Sequence, residues 1–207
     1  MSAASSSARH PVTGCLDRHP EERSALAEPL GAFDPGTDVT SRSTLPGPPP
    51  TERGPATTVP SGTVLHVVGV HLHLERDGQV LLGMRHPDSA YAGGCWHALA
   101  GHLEAEAATA GLVREAYEEA GLVIDPADVE LVHTVHLVEP PGGRPRIQLF
   151  FRARRWEGGP EVREPDRCVA WRWWSAEDLP EPIVPYTRAA IEGIRAGRSY
   201  TELGWSR

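Results

Sequence analysis

The chain has 207 residues and a formal net charge of −8, and its basic residues are all arginine, since lysine is absent. That length suits one domain with an appendage, and the negative balance argues against a general nucleic-acid surface. Any protein cation that touches a phosphate must then be arginine or histidine, and the planar guanidinium holds phosphate oxygens in pairs. Cys15, Cys95 and Cys168 are odd in number, far apart and without CxxC spacing. Neither a disulfide framework nor a zinc site is expected from them, and a reducing cytoplasm is the expected home. No apolar run reaches the length of a membrane span and the N-terminus lacks the apolar core of a signal peptide, so a soluble, non-exported protein is expected.

Residues 1–60 are rich in proline, serine, threonine and glycine, culminating in Pro46-Gly47-Pro48-Pro49-Pro50. Such a segment buries too little apolar surface to offset its ordering entropy, so a disordered tail is expected, with a short helix over Glu21 to Ala27 as its one marginal element. A folded domain is expected over 61–199 and a C-terminal tail over 200–207. Val64 to Leu74 alternates Val70, Leu72 and Leu74 against His71 and His73, which predicts a half-buried strand with both histidines on the solvent face. Asp77-Gly78 predicts a type I′ hairpin turn, and Val80 to Arg85 returns as the next strand. His86 to Cys95 is a loop punctuated by Pro87, Gly93 and Gly94.

The stretch Gly101 to Leu122, GHLEAEAATAGLVREAYEEAGL, carries the chemistry. At about 100° per residue, positions i, i+3 and i+4 share a helix face, so Glu115, Glu118 and Glu119 project together before a glycine stop. Adjacent carboxylates repel one another unless a cation lies between them, and hard oxygen ligands suit Mg2+ or Mn2+. Arg114 stands next to the cluster, placed to pair with a carboxylate and fix its rotamer. Taken without its flanks, such a cluster is more often a solvated acidic face.

Beyond it, Val123 to Asp128 reads as a turn, Val129 to Val138 as a strand, Glu139 to Pro145 as a hairpin loop and Arg146 to Trp156 as the partner strand. Cys168 to Trp174 is a further strand, and Tyr186 to Ala196 a helix behind Pro185. His133 and His136, three apart on a strand, point to opposite faces and cannot both serve one metal.

The flanks of the acidic cluster resemble the Nudix box, G-x5-E-x7-R-E-U-x-E-E-x-G-U, with U aliphatic. Arg114-Glu115-Ala116, Glu118-Glu119 and Gly121-Leu122 match its second half position by position, and Glu106 keeps the E-x7-R spacing. The start departs from the pattern: only four residues separate Gly101 from Glu106. One register keeps Glu106 and shortens the loop; the other keeps five residues after Gly101 and places alanine, Ala107, where the glutamate belongs. Leu99 also stands where many relatives have proline before the box glycine.

The resemblance implies an α/β/α sandwich with a mixed sheet between helices, and Mg2+-dependent hydrolysis of a diphosphate bond in a nucleoside diphosphate linked to another group. A MutT-type nucleoside triphosphate pyrophosphohydrolase is the leading form; a silent nucleotide sensor or interaction module is the alternative. It implies a cation held by Glu118, Glu119 and the Gly101 carbonyl, with Glu115 holding a second metal or orienting water and Arg114 supporting the carboxylates. A glutamate in a later loop serves as general base in several relatives. Glu164 is the candidate, with Glu157 and Glu161 in the same loop left open. Arg85, Arg152 and one of the two histidines, His133 foremost, are candidates to face phosphate or base, and Tyr91 and Trp96 to stack on a base. Many relatives form homodimers; the substrate and the oligomeric state stay open.

Overall fold

Alternation and turn chemistry shape the first hairpin. In the computed structural model, which describes residues 61–139 and 143–205, strand β1 spans Val67–His73, β2 Glu75–Arg76 and β3 Gln79–Arg85. Between the last two, Asp77 and Gly78 both take positive φ, 52° and 74°, the type I′ geometry that Asp-Gly favours because neither position tolerates a bulky side chain there. The chain continues through β4 (Trp96–His97), β5 (Leu99–His102), helix α1 (Ala108–Ala120), a 3-10 turn (Pro126–Asp128), β6 (Val129–Leu137), β7 (Arg146–Ala153), β8 (Cys168–Ser175), α2 (Pro185–Arg195) and β9 (Tyr200–Leu203).

Two sheets result. The larger runs β5-β1-β7-β6-β9, with β1–β7 and β6–β9 parallel and the other pairs antiparallel. In the smaller, β3 pairs with β2, β4 and β8, all antiparallel. Helix α1 lays Leu112, Ala116 and Ala120 on one face of the larger sheet, against Val70, Leu72 and Phe151. Helix α2 covers the opposite face, with Ala190 against Val135, Leu137 and Phe150. The layering is α/β/α around a mixed sheet.

That layering overturns one expectation. His71 and His73 are 3% and 4% exposed, not solvent-facing. A half-buried strand alternates because one face is wet, but β1 lies mid-sheet with a helix on each side, so both faces are dry. His71 stacks on Phe150 at 4.5 Å, and burial pushes its pKa down to about 4, so the ring is neutral near pH 7. His73 keeps its Nε2 3.2 Å from a Glu75 carboxylate oxygen.

Residues 200–203, expected in a tail, form β9, which pairs in register with Thr134 to Leu137. The β7 strand stops at Ala153, short of Trp156, because its partner β6 begins at Val129, which stands opposite Ala153 in the register. Cys168 is free and buried, whereas Cys95 is disulfide-bonded, a bond that the expectation of no disulfide framework did not foresee. The expected N-terminal tail with its short helix, and residues 140–142 of the β6–β7 hairpin loop, also lie outside the described residues. Among the described residues, no helix is long and apolar enough to cross a membrane.

Candidate active site

The acidic helix meets the sheet at a glycine. Gly101 lies on β5, and a Cβ there would collide with the Glu115 carboxyl group. The absent side chain is what lets a carboxylate lie against the strand. Arg114 gathers the neighbouring acids: it donates to Glu106 at 2.7 Å, to Glu115 at 2.9 Å and to Glu118 at 2.9 Å. The Glu106 pairing, one guanidinium arm on the residue eight positions earlier, selects the register in which Glu106 is the first acid of the motif and the loop behind Gly101 is the part that contracted. Arg114 holds Glu106 below the usual carboxylate range.

Glu119 behaves differently. It is 8% exposed, its Oε2 has no hydrogen-bond partner among the described residues, and its pKa is pushed up to about 8 by burial first and then by the charge of Glu115, with Glu164 adding to the rise and a backbone hydrogen bond from Ala100 opposing it. Glu164 arrives because its loop docks on the end of α1: Glu161 N–H donates to the Ala120 carbonyl at 3.0 Å and Arg163 N–H to that of Glu119 at 3.3 Å. Glu164 Oε2 is also buried without a hydrogen bond among the described residues, and the Arg167 guanidinium forms an ion pair with it at 3.3 Å. The other two loop glutamates do not converge: Glu161 is 70% exposed beside Arg163, and Glu157 pairs its backbone with Val123.

The expected set of metal ligands is therefore divided. Glu118 is 48% exposed and turned to Arg114, and among the described residues no three acidic, histidine or cysteine side chains are already grouped to hold an ion. The inner acids still fit a hard divalent cation. Glu119 Oε2 is buried with no hydrogen-bond partner among the described residues and lies within reach of the charges of Glu115 and Glu164, a crowding of hard oxygen donors that a cation would relieve.

A cavity of about 610 Å3 opens beside these acids, lined by Gly101, Glu115 and Glu119 and by three arginines, Arg85, Arg146 and Arg167. Of the expected substrate contacts, Arg85 and Tyr91 line it. Arg85 Nε donates to the Tyr91 carbonyl at 2.8 Å and its guanidinium lies 5.7 Å from the centre of that ring.

Three other candidates are not where a ligand would be. Trp96 is 4% exposed and packs edge-on to Trp174 at 5.0 Å in the core beside Ile183 and Ile191; its large apolar surface is used by the fold. His133 is buried with Nδ1 2.8 Å from the Arg198 carbonyl and Nε2 3.0 Å from Thr201 Oγ1, tying β6 to the segment after α2. Its ring occupies the space that a Cβ on Gly193 would fill. Arg152 points the other way, 3.4 Å from Glu75, into a separate recess with Glu130. Conversely, His71, His97, Gln148, Arg146 and Arg167 line the cavity and were not singled out. For His71 the available signal was its place on a strand covered on both faces; the arginines offered none apart from the lack of lysine.

The Nudix domain model matches residues 65–193. This chain belongs to the Nudix hydrolase family. Among solved structures, the MutT Nudix hydrolase of Burkholderia pseudomallei is 31% identical over 62% of this chain and 97% of that one, with a TM-score of 0.57. The E. coli ORF135 protein is 27% identical over 67% and 94%, with a TM-score of 0.55. The Nudix domain of Shewanella oneidensis NrtR, solved in complex with ADP-ribose, shares the fold at 19% identity, covering 68% and 93%, with a TM-score of 0.52. The chain is thus a MutT-like Nudix hydrolase, of the pyrophosphohydrolase class that cleaves nucleoside diphosphates linked to another group, and the family is typically dependent on a divalent metal.

Proposed function

We propose that this Nudix hydrolase cleaves a (deoxy)nucleoside triphosphate to the monophosphate and pyrophosphate with Mg2+ or Mn2+ as cofactor. The observation that carries this reading is the buried Glu119 carboxylate, its Oε2 without a hydrogen-bond partner among the described residues, at the wall of an arginine-lined cavity. The likeness to a MutT protein over nearly that protein's whole length supports the triphosphate form.

Glu119, Glu115 and the Gly101 carbonyl would hold the cation, and Glu118 would join them on release from Arg114. When bound, the cation supplies Lewis-acid polarisation and charge neutralisation at the diphosphate. Arg85, Arg146 and Arg167 grip the phosphate oxygens through paired N–H groups. Glu164 would orient the attacking water and take its proton, since its carboxylate is close enough to Glu119 to raise that group's pKa. Arg114 touches no substrate; it fixes the rotamers of Glu115 and Glu118. Tyr91 offers its ring to the base. Positioning and charge stabilisation account for most of the acceleration in a substitution of this type at phosphorus.

The decisive experiment is a panel of dNTPs, oxidised dNTPs, ADP-ribose, NADH and a dinucleoside polyphosphate, incubated with Mg2+ or Mn2+ while products are identified. Monophosphate plus pyrophosphate from a triphosphate is the expected result, and Glu115→Gln should lower kcat by about a hundredfold or more. If the parent releases nothing from any member of the panel, the hydrolase reading fails and the silent sensor or interaction module takes its place.

A further inference from the structure

Outside the cavity, two histidines at the surface meet tip to tip. His66, the residue before β1, is exposed and His136 on β6 is half-buried, and their Nε2 atoms lie 3.2 Å apart. The ring centroids are 5.2 Å apart, farther than the two nitrogens, so each ring aims its Nε2 at the other instead of lying over it. Strand pairing brings them together: Val67 and Leu137, the next residues in sequence, both stand opposite Arg146 on the intervening β7.

The outer nitrogens decide what can lie between the inner ones. His66 Nδ1 is 3.0 Å from the Val64 carbonyl, and a carbonyl oxygen only accepts, so this nitrogen carries the ring hydrogen. His136 Nδ1 is 3.1 Å from the Tyr200 hydroxyl, which gives its single hydrogen to Glu202 Oε1 at 3.2 Å. The carboxylate has none to give back, so the hydroxyl accepts from His136 Nδ1. Each neutral ring thus turns a bare lone pair on Nε2 toward the other. Two acceptors in contact share no hydrogen bond, and only a cation satisfies both.

That cation is a proton on one ring or a metal ion, and the surroundings match a metal ion. Histidine ligands donate their second ring N–H to a carbonyl, a carboxylate or water, which fixes the tautomer and the ring orientation. Val64 does this for one ring, and Tyr200, backed by Glu202, does it for the other. Two Zn–N bonds of about 2.0–2.1 Å that span this separation meet at about 100°, close to the tetrahedral angle. Trp205 steadies the site from the side, its Nε1 donating to the His136 carbonyl at 3.2 Å and its ring 4.4 Å from that of His136. Among the described residues no third acidic, histidine or cysteine side chain completes the set, so water fills the remaining positions.

We propose that His66 and His136 form a surface site for one transition-metal ion of the imidazole-binding class, with Zn2+ as its type, which clips the entry of β1 to β6. Imidazole suits Zn2+, Ni2+ and Cu2+, whereas Mg2+ prefers oxygen, so this site is chemically separate from the acid cluster. Tyr200 is its positioning residue.

The test titrates Zn2+ calorimetrically into the full chain at neutral pH, with excess Mg2+ present to compete at the acid cluster. The parent should bind one Zn2+ that is lost or weakened by about a hundredfold in His66→Gln and in His136→Gln. Tyr200→Phe keeps both ligands and removes only the hydroxyl that fixes the His136 ring, so it should weaken binding by about tenfold. Zn2+ should also raise the Tm of the parent more than that of the double variant His66→Gln, His136→Gln, because an ion held by the native fold stabilises it. In histidine 15N spectra of the parent, Zn2+ should shift both Nε2 resonances while both Nδ1 hydrogens stay in place. Equal Zn2+ affinity and stoichiometry in the parent and the double variant would overturn the proposal. So would parent spectra in which the two Nε2 atoms share a proton that Zn2+ does not displace, a result that depends on no variant's folding.

Discussion

Gly101 carries a role that no side chain could take. Its missing Cβ is the space occupied by the Glu115 carboxyl, so Gly101→Ala must move either the strand or the helix. Overpacking of this kind costs about 1–3 kcal/mol, and the displaced carboxylate should lower kcat/KM by at least about tenfold, because small misplacements of catalytic groups are expensive. Denaturant unfolding and steady-state kinetics on the one variant check both halves. At this scale the motif was legible wherever a residue's role depends on spacing: Arg114 and Glu106 stand eight apart, and the ion pair follows. It was not legible where a role depends on what covers a face. His71 alternates with apolar neighbours as a wet residue would, and only the second helix layer makes it dry. Trp96 and His133 failed as ligand contacts for the same reason: burial in the fold claimed them first.

Helix α1 owes its usefulness to its end as much as to its face. Gly121 takes φ 70°, and its N–H donates back to the Tyr117 carbonyl at 3.0 Å. The space where its Cβ would stand holds the Arg163 guanidinium, the nearest atom at 2.6 Å, and that guanidinium in turn donates to the Tyr117 carbonyl at 3.1 Å. Gly121→Ala therefore suffers both the left-handed backbone penalty of about 1–2 kcal/mol and a clash with the loop that delivers Glu164. A fall in Tm of about 2–8 °C is expected from the backbone penalty, and kcat should fall as well because the loop shifts. An unchanged melting curve would show that the helix end does not carry the loop. The helix, its glycine stop, the Asp-Gly hairpin and the main strands all follow from local chemistry and could be read in advance. Strand β9 could not, since Tyr200–Leu203 has no apolar alternation of its own and is a strand only because β6 offers an edge.

For the whole molecule, buried titratable groups set opposing pH slopes. Glu119 has its folded pKa raised from 4.5 to about 8, so the metal-free fold loses stability as pH rises through that window. His71 and His97 are lowered from 6.5 to about 4 and about 3, so their contribution is present above 6.5 and lost as pH falls below it. Each group contributes a slope of about 1.4 kcal/mol per pH unit within its own window. Metal-free stability should peak near pH 6.5, and Glu119→Gln should flatten the alkaline side of that peak; thermal melts across pH 4.5–8.5 read both. A Glu119→Gln profile that falls as steeply as the parent above pH 6.5 would rule out Glu119 as the source.

The cavity itself lay beyond any linear reading, because its walls come from separate parts of the chain. Gly69, His71, Gln148 and Gly101 belong to the larger sheet, Arg85, His97 and Cys168 to the smaller, Glu115 to one helix and Tyr186 to the other. A ligand seated there spans a seam in the architecture. It would act as a mechanical cross-brace between two sheets that share no strand, so the rigidity of the bound protein would be partly a property of its ligand, and ligand departure would return that freedom to the chain.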